Sequence, residues 1–308
     1  MLDEVMTVTG PIQPADLGVV MPHEHLLLDL YRVFQPHREM KLFDVELAAS
    51  ELALYGAAGG RTIVEVTTPD LGRDPVGLRR IAETSGVQVV MAAGWYREPF
   101  YEREVWEKSA KQLAAELIDD VEVGRDGIRP GILGEIGTHG SHVSPVEERV
   151  HRAVARAHHQ TGLSITTHSN ATPVGLAQLD VFEEEGVDLR RVVIGHCDTY
   201  PVAEYHRALL ARGAWVQFDT IRGNFEFETQ RQARMVVELI AEGFIDRLLL
   251  SQDIAVDRFY TVYGGNGYAF LVSTFVGRLR QMGISEEQIE ILLVHNPRRM
   301  LIGDVSAS

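Results

Sequence analysis

The chain has a single cysteine, Cys197, so no intramolecular disulfide is available, and the composition fits a reducing compartment. Lysine is almost missing: Lys41, Lys108 and Lys111 are all there are, and arginine carries nearly all the positive charge. No apolar run approaches the ~18 residues that span a bilayer. The opening Met1-Leu2-Asp3-Glu4-Val5 lacks the basic and apolar regions of a secretory signal. Cations are outnumbered throughout. The net charge is -15, with no Lys/Arg-rich stretch, which argues against a nucleic-acid partner. The expected setting is cytoplasmic, without a membrane partner. What is present is apolar material: 45% of the 308 residues are hydrophobic, enough for a sizeable core.

That apolar material is parcelled. Short β-branched runs occur near Gly18–Pro22, Thr62–Thr68, Val87–Gly94, Gly131–Gly137, Ser164–His168, Val192–His196, Trp215–Asp219 and Leu248–Asp253. Amphipathic stretches separate them. The clearest opens at Ser144-Pro145-Val146-Glu147, a capping box with proline at the first helical position. Val146, Val150, Ala153, Val154 and Ala157 then share one face, and Gly162 closes the helix. Ser285-Glu286-Glu287-Gln288 opens the last helix by the same logic. Strands alternating with helices imply a parallel sheet, and eight strands close into a (β/α)8 TIM barrel. Residues 1–308 read as one such domain with a short N-terminal extension. An open doubly wound sheet would need a glycine-rich fingerprint after its first strand, and none is there.

Polar residues gather at the C-terminal strand ends, where barrels carry their active sites. The first strand runs into His23-Glu24-His25. Residues i and i+2 of an extended chain point the same way, so His23 and His25 converge while Glu24 points elsewhere. Two neutral imidazoles converging suit a divalent metal such as zinc, although a lone His-x-His also arises by chance. Glu135 ends the fourth strand, His168 the fifth, His196 the sixth and Asp253 the eighth. Each has a bland reading as a satisfied core residue or an arginine partner. Together, at one end of successive strands, they are hard to explain by packing.

With these residues in view, the chain resembles the phosphotriesterase-related branch of the amidohydrolase superfamily. The resemblance runs through Val8-Thr9-Gly10-Pro11-Ile12, His23-Glu24-His25, Arg61 to Thr68, Thr167-His168, Gly195-His196-Cys197-Asp198, Ser251-Gln252-Asp253 and Asn296 to Leu301. It implies two divalent metal ions, zinc first, with manganese, cobalt or iron as alternatives. His23, His25 and Asp253 would hold the more buried ion, and His168 and His196 the more exposed one. Much of the family bridges its ions with a carboxylated lysine on strand four. Here Glu135 stands at that place, as in the phosphotriesterase homology proteins. No lysine follows Lys111, so a carbamate at strand four or later is excluded by the sequence itself. Two divalent ions against Glu135, Asp253 and a bridging hydroxide leave one formal positive charge. Such a pair, about 3.5–4 Å apart, lowers the pKa of a shared water toward neutrality. Asp253 would accept its proton and pass it to the leaving group.

Other residues carry weaker signals. Tyr96 matches a substrate-contacting tyrosine of lactonase relatives, with packing an equal reading. Many members have an arginine directly after the strand-seven aspartate. Here Thr220 follows Asp219 and Arg222 comes two places later, as a candidate for an anionic substrate group. Glu65 is expected to pair with an arginine, Asp198 to support the site, and Cys197 to pack as a thiol. His158 and His159 end their helix as dipole partners, His139 and His142 are expected in solvent, and His37 is open. Phe100, Tyr101 and Trp106 read as an aromatic surface loop, a region through which relatives form homodimers. The expected activity is hydrolysis of a lactone or carboxylic ester of small-molecule size. Cleavage of an N-acyl amide is second, and phosphotriester turnover a side activity. The reading from another class is a barrel that binds metal and ligand without catalysis, against which the intact Asp253 argues.

Overall fold

A computed structural model describes residues 1–31, 33 and 40–304; His37 lies outside the described residues. The chain opens with an antiparallel hairpin, β1 (Val5–Thr7) and β2 (Gly10–Ile12). The first barrel strand is β3 (Val20–Glu24), followed by a short antiparallel pair, β4 (Leu28–Asp29) and β5 (Lys41–Leu42). The other barrel strands are β6 (Thr62–Glu65), β7 (Gln88–Ala93), β8 (Ile132–Gly137), β9 (Ile165–His168), β10 (Val192–Ile194), β11 (Trp215–Phe218) and β12 (Leu248–Leu250). They hydrogen-bond in chain order as one eight-stranded sheet, every pairing parallel. The outer layer comprises α1 (Val45–Ala57), α2 (Pro75–Ser85), α3 (Arg103–Glu107), α4 (Ala110–Glu122), α5 (Pro145–Thr161), α6 (Gly175–Glu184), α7 (Ala203–Ala211), α8 (Glu226–Ala241), α9 (Val276–Gln281), α10 (Glu286–Glu290) and α11 (Asn296–Ile302). The eight expected strands all form, and the TIM barrel is the observed architecture. No helix among the described residues is long and apolar enough to cross a membrane.

Both expected capping boxes form, at Ser144 and Ser285, and a third opens α4 at Ser109. Alternate strand residues divide the core in two. Val20, Val64, Val90, Ile132, Val193, Trp215 and Leu249 fill the barrel, stoppered by Val5, Leu17, Met300 and Leu301 from the two chain ends. Their neighbours in sequence pack outward against the helices. The N-terminal extension thus seals the end opposite the strand C-termini.

Closure between the first and last strands is made largely by side chains. Ser251 Oγ accepts from the His23 N–H at 3.1 Å and lies 2.8 Å from both the His23 carbonyl and Glu24 Oε1. Glu24 then accepts the backbone N–H of Gln252 at 2.7 Å and of Ile254 at 3.1 Å. Asp253 N–H reaches the His23 carbonyl at 3.3 Å. Glu24 is fully buried, and burial pushes its carboxyl up to about 7 against the pull of these donors. So the middle residue of His23-Glu24-His25 latches the barrel seam.

Two expectations change. Phe100 and Tyr101 are buried, because the short turn Glu98–Phe100 folds them inward and sets Phe100 edge-on against Tyr96, with centroids 5.2 Å apart. Trp106 remains exposed, so the aromatic surface shrinks to one ring. His158 is no dipole cation: burial holds it below its usual range, and its Nδ1 lies 2.7 Å from the Leu163 carbonyl.

Two outcomes are expected. Glu24→Ala should lower the unfolding free energy by about 2–4 kcal/mol, since buried N–H groups lose a charged acceptor; equal denaturation midpoints would contradict the latch. His151 in α5 is fully buried against Phe182, and burial holds its pKa down. The unfolded chain therefore takes up a proton near pH 6.5 that the fold refuses, and stability falls as pH drops through that value. His151→Leu should reduce the loss of melting temperature between pH 7.5 and 5; an unchanged loss removes His151 from that titration.

Candidate active site

Strand parity alone would misplace three of the expected ligands. Val20 and Ile132 face the barrel interior, so strict alternation would turn His23, His25 and Glu135 toward the helices. The pairing register shifts between Met21 and Glu24, and again between Leu133 and Ile136. Each irregularity falls just before or at the ligand and swings it inward. On β9, regular alternation carries His168 inward with Thr166. β10 and β12 stop earlier than expected, at Ile194 and Leu250. His196 and Asp253 then take left-handed backbone, φ 55° and 50°, conformations that non-glycine residues adopt at a cost and that concentrate at functional sites.

The six expected ligands converge. His25 Nε2 and His23 Nε2 lie 3.2 and 3.6 Å from Asp253 Oδ1. Glu135 Oε1 is 3.6 Å from His23 Nε2, 2.9 Å from His196 Nε2 and 2.7 Å from His168 Nδ1. Its Oε2 is 4.0 Å from His25 Nε2. Glu135 is thus the common neighbour of all four histidines, and no arginine among the described residues pairs with it. Two triads, His23-His25-Asp253 and His23-Glu135-His196, have ligand atoms within 4.8 Å of one another.

The donor set fits metal ions. His23 Nε2 is buried and makes no hydrogen bond among the described residues. His168 Nδ1 and His196 Nε2 stand 2.7 Å apart with Glu135 between, a crowd of lone pairs that wants a shared cation. The far nitrogens are already engaged. His196 Nδ1 donates to Asp219 at 2.7 Å, which leaves Nε2 as the free lone pair. His25 Nδ1 lies 2.8 Å from Thr67 Oγ1, which donates to Glu65. His23 Nδ1 faces Gln217 at 3.0 Å and Asp219 at 3.4 Å. The field favours positive charge. Burial opposes protonation of His23, but Asp219 and Glu135 outweigh it and raise the ring to about 9. Burial opposes protonation of His196 too, but Asp219 and Glu135 hold it well above its usual range. Burial also opposes ionisation of Glu135 and Asp253, yet the histidines, and Arg222 for Asp253, hold both well below the usual carboxylate range. His168 goes the other way, down to about 4, because burial dominates.

Tyr96 lines the site, with its hydroxyl 3.4 Å from His168 Nε2 and its ring edge-on to the imidazole. Arg222 does not present a free guanidinium to substrate. Its Nε donates to the carbonyls of Gln252 and Asp253, both at 2.9 Å, and its Nη2 pairs with Asp253 Oδ2. Glu65 has no arginine partner among the described residues and instead backs Thr67 and the Leu26 N–H. Asp198 braces the strand-seven loop through the Thr220 N–H, the Thr220 hydroxyl and Gln232. Cys197 is a buried thiol donating to the Ile194 carbonyl. His139 and His142 are exposed and do not line the cavity. Asp219 was the missed residue. Its signal is its place two residues beyond inward-facing Gln217 at the end of β11. The ligands floor a cavity of about 1320 Å³, open at the strand C-termini.

Known proteins match nearly the whole length of this chain. A family model described as the phosphotriesterase family matches residues 3–301. The phosphotriesterase homology protein of Escherichia coli is 35% identical over 282 residues, covering 91% of this chain and 96% of that one. Its crystal structure, with phosphate in the active site, superposes at a TM-score of 0.89 over 93% of this chain and 99% of that chain. The N-acetyltaurine hydrolase of Danio rerio is 29% identical, covering 97% of each. A lactonase from Listeria monocytogenes is 27% identical, with a TM-score of 0.89 over 97% of this chain and 98% of that one. The barrel, the convergent ligands and these full-length matches carry one conclusion: this chain belongs to the phosphotriesterase family.

Proposed function

We propose that this metal-dependent hydrolase holds two divalent ions, zinc first, and cleaves a lactone or carboxylic ester. His23, His25 and Asp253 would hold one ion, His168 and His196 the other, with Glu135 shared. When bound, such a pair acidifies a shared water and polarises the scissile carbonyl or phosphoryl oxygen. The single observation that carries the reading is the convergence of four histidines on the Glu135 carboxylate.

The chain's own groups do the rest. Asp253 turns Oδ1 toward His23 and His25, and Oδ2 toward Arg222. Arg222 keeps the carboxylate ionised and fixes its rotamer. Asp253 takes the proton from the attacking water as the new bond forms. A carboxylate this acidic is a brief stop, so the proton moves on to the leaving oxygen as the acyl C–O bond breaks. Asp219 holds the His196 tautomer, and Thr67 with Glu65 holds that of His25. Tyr96 closes the wall beside His168 and offers its hydroxyl to the substrate. Cleavage of an N-acyl amide is the second reading, supported by the N-acetyltaurine hydrolase relative. Phosphotriester turnover would be a weak side activity, because its transition state is also anionic.

Elemental analysis of protein purified without chelators should find close to two metals per chain. Fewer than about one, with no gain on adding zinc or manganese, would sink the proposal. Glu135→Ala should lose both metal and activity; survival of both removes the shared ligand. Asp253→Asn should retain metal while kcat falls by about 10²–10⁴, and full activity would dismiss the proton acceptor. A panel of lactones, aryl esters, N-acyl amino acids and paraoxon-like triesters would rank the bond types.

A further inference from the structure

The cavity above the ligands is lined by four arginines, Arg97, Arg222, Arg231 and Arg258, in a protein whose acidic residues exceed its basic ones by fifteen. Three carboxylates share that lining: Glu135 and Asp253 among the ligands, and Glu228. Arg222 is spent on Asp253. Arg97 stacks over Tyr96 on the opposite wall. The other two stand apart. Arg231, on the second turn of α8, has a buried Nε without a hydrogen-bond partner, and no ion pair is made by it among the described residues. Arg258, in the loop after β12, lies over the Phe259 ring at 5.3 Å and likewise forms no ion pair there. Arg222 covers the same ring at 4.9 Å. Elsewhere some arginines meet acids, as Arg152 does with Glu148, Glu184 and Glu185 and Arg212 with Asp180 and Glu183, while surface arginines such as Arg61, Arg129 and Arg234 form no ion pair among the described residues. The distinguishing observation is therefore position: Arg231 is half-buried in the cavity lining with its Nε unsatisfied, and Arg258 is exposed on the same lining.

We infer that Arg231 and Arg258 form a subsite for an oxyanion on the substrate, remote from the bond that is cut. The inference rests on the hydrolase reading above and narrows its substrate class to esters, lactones or N-acyl compounds bearing a carboxylate, sulfonate or phosphate tail. Guanidinium suits this work because its planar fork binds oxyanions through paired charge-assisted hydrogen bonds. A backbone anion cradle is not the device used here. In the glycine-rich stretch Gly264-Gly265-Asn266-Gly267, the N–H groups of Gly264, Gly265 and Gly267 all donate to carbonyls of the same loop, between Phe259 and Thr261. Recognition therefore falls to side chains. Arg231 on α8 and Arg258 in the loop after β12 belong to the wall of the same cavity that the ligands line.

The test uses zinc-loaded protein and matched aryl acetates: 4-acetoxybenzoate against 4-acetoxybenzamide, and 4-acetoxybenzenesulfonate against its sulfonamide. Each rate is divided by the spontaneous one. The anionic member of each pair should have kcat/KM at least about tenfold higher, equal to roughly 1.4 kcal/mol, and the gap should shrink as salt rises. Arg231→Met should erase most of that preference through KM, and Arg231→Lys should retain part of it. Turnover of both members without preference overturns the subsite and leaves the hydrolase reading standing; so does a preference that survives Arg231→Met together with Arg258→Met. If no ester is cut, the ester reading fails, and calorimetry with 4-hydroxybenzenesulfonate and its sulfonamide decides the subsite. Selective, Arg231-dependent binding of the sulfonate supports it, and equal binding rejects it.

Discussion

The Glu24 carboxylate fixes the one distance that the rest of the site depends on. β3 delivers His23 and His25, and the exit of β12 delivers Asp253. These are the first and last strands of the barrel, joined late in the chain. Backbone pairing contributes little at this seam. Instead Glu24 draws in the N–H groups on either side of Asp253, and Ser251 clasps His23. A buried carboxylate is costly unless its oxygens are satisfied. Here the satisfaction consists of the contacts that bring the two ligand-bearing strands together, so closing the fold and assembling half the site are one event.

Around that seam, charge compensation extends outward in short chains. His196 leans on Asp219, His25 on Thr67 and then Glu65, and Asp253 on Arg222. Each pairing fixes a tautomer or a protonation state as well as a position. Asp219 also faces His23, so one carboxylate orients a ligand from each of two triads. The floor of the cavity is built to attract cations, whereas its upper wall carries guanidiniums.

Much of this was legible in the sequence because it depends on spacing. Eight apolar runs, the capping boxes at Ser144 and Ser285, and the gathering of His23, His25, Glu135, His168, His196 and Asp253 at strand ends all survive in the structure. The lack of lysine beyond Lys111 rightly left Glu135 as the acid at the centre. What escaped depends on which way a group turns. Arg222 looked like a loop charge free to meet a ligand, and its engagement with Asp253 is a contact between two loops that no local pattern encodes. Phe100 and Tyr101 looked like surface because neighbouring residues are polar, but a single tight turn buries both. Glu65 and Asp198 satisfy themselves on hydroxyls and backbone, partners that composition does not advertise.

The register shifts ahead of His23 and Glu135 have a consequence for engineering. Grafting these six residues by substitution onto an idealised barrel would reproduce the residue types and aim three of them into the helical shell. What must be copied is an extra step in the backbone between Met21 and Glu24 and between Leu133 and Ile136. The metal-binding information of this chain is therefore written partly in strand length, where a comparison of side chains alone does not see it.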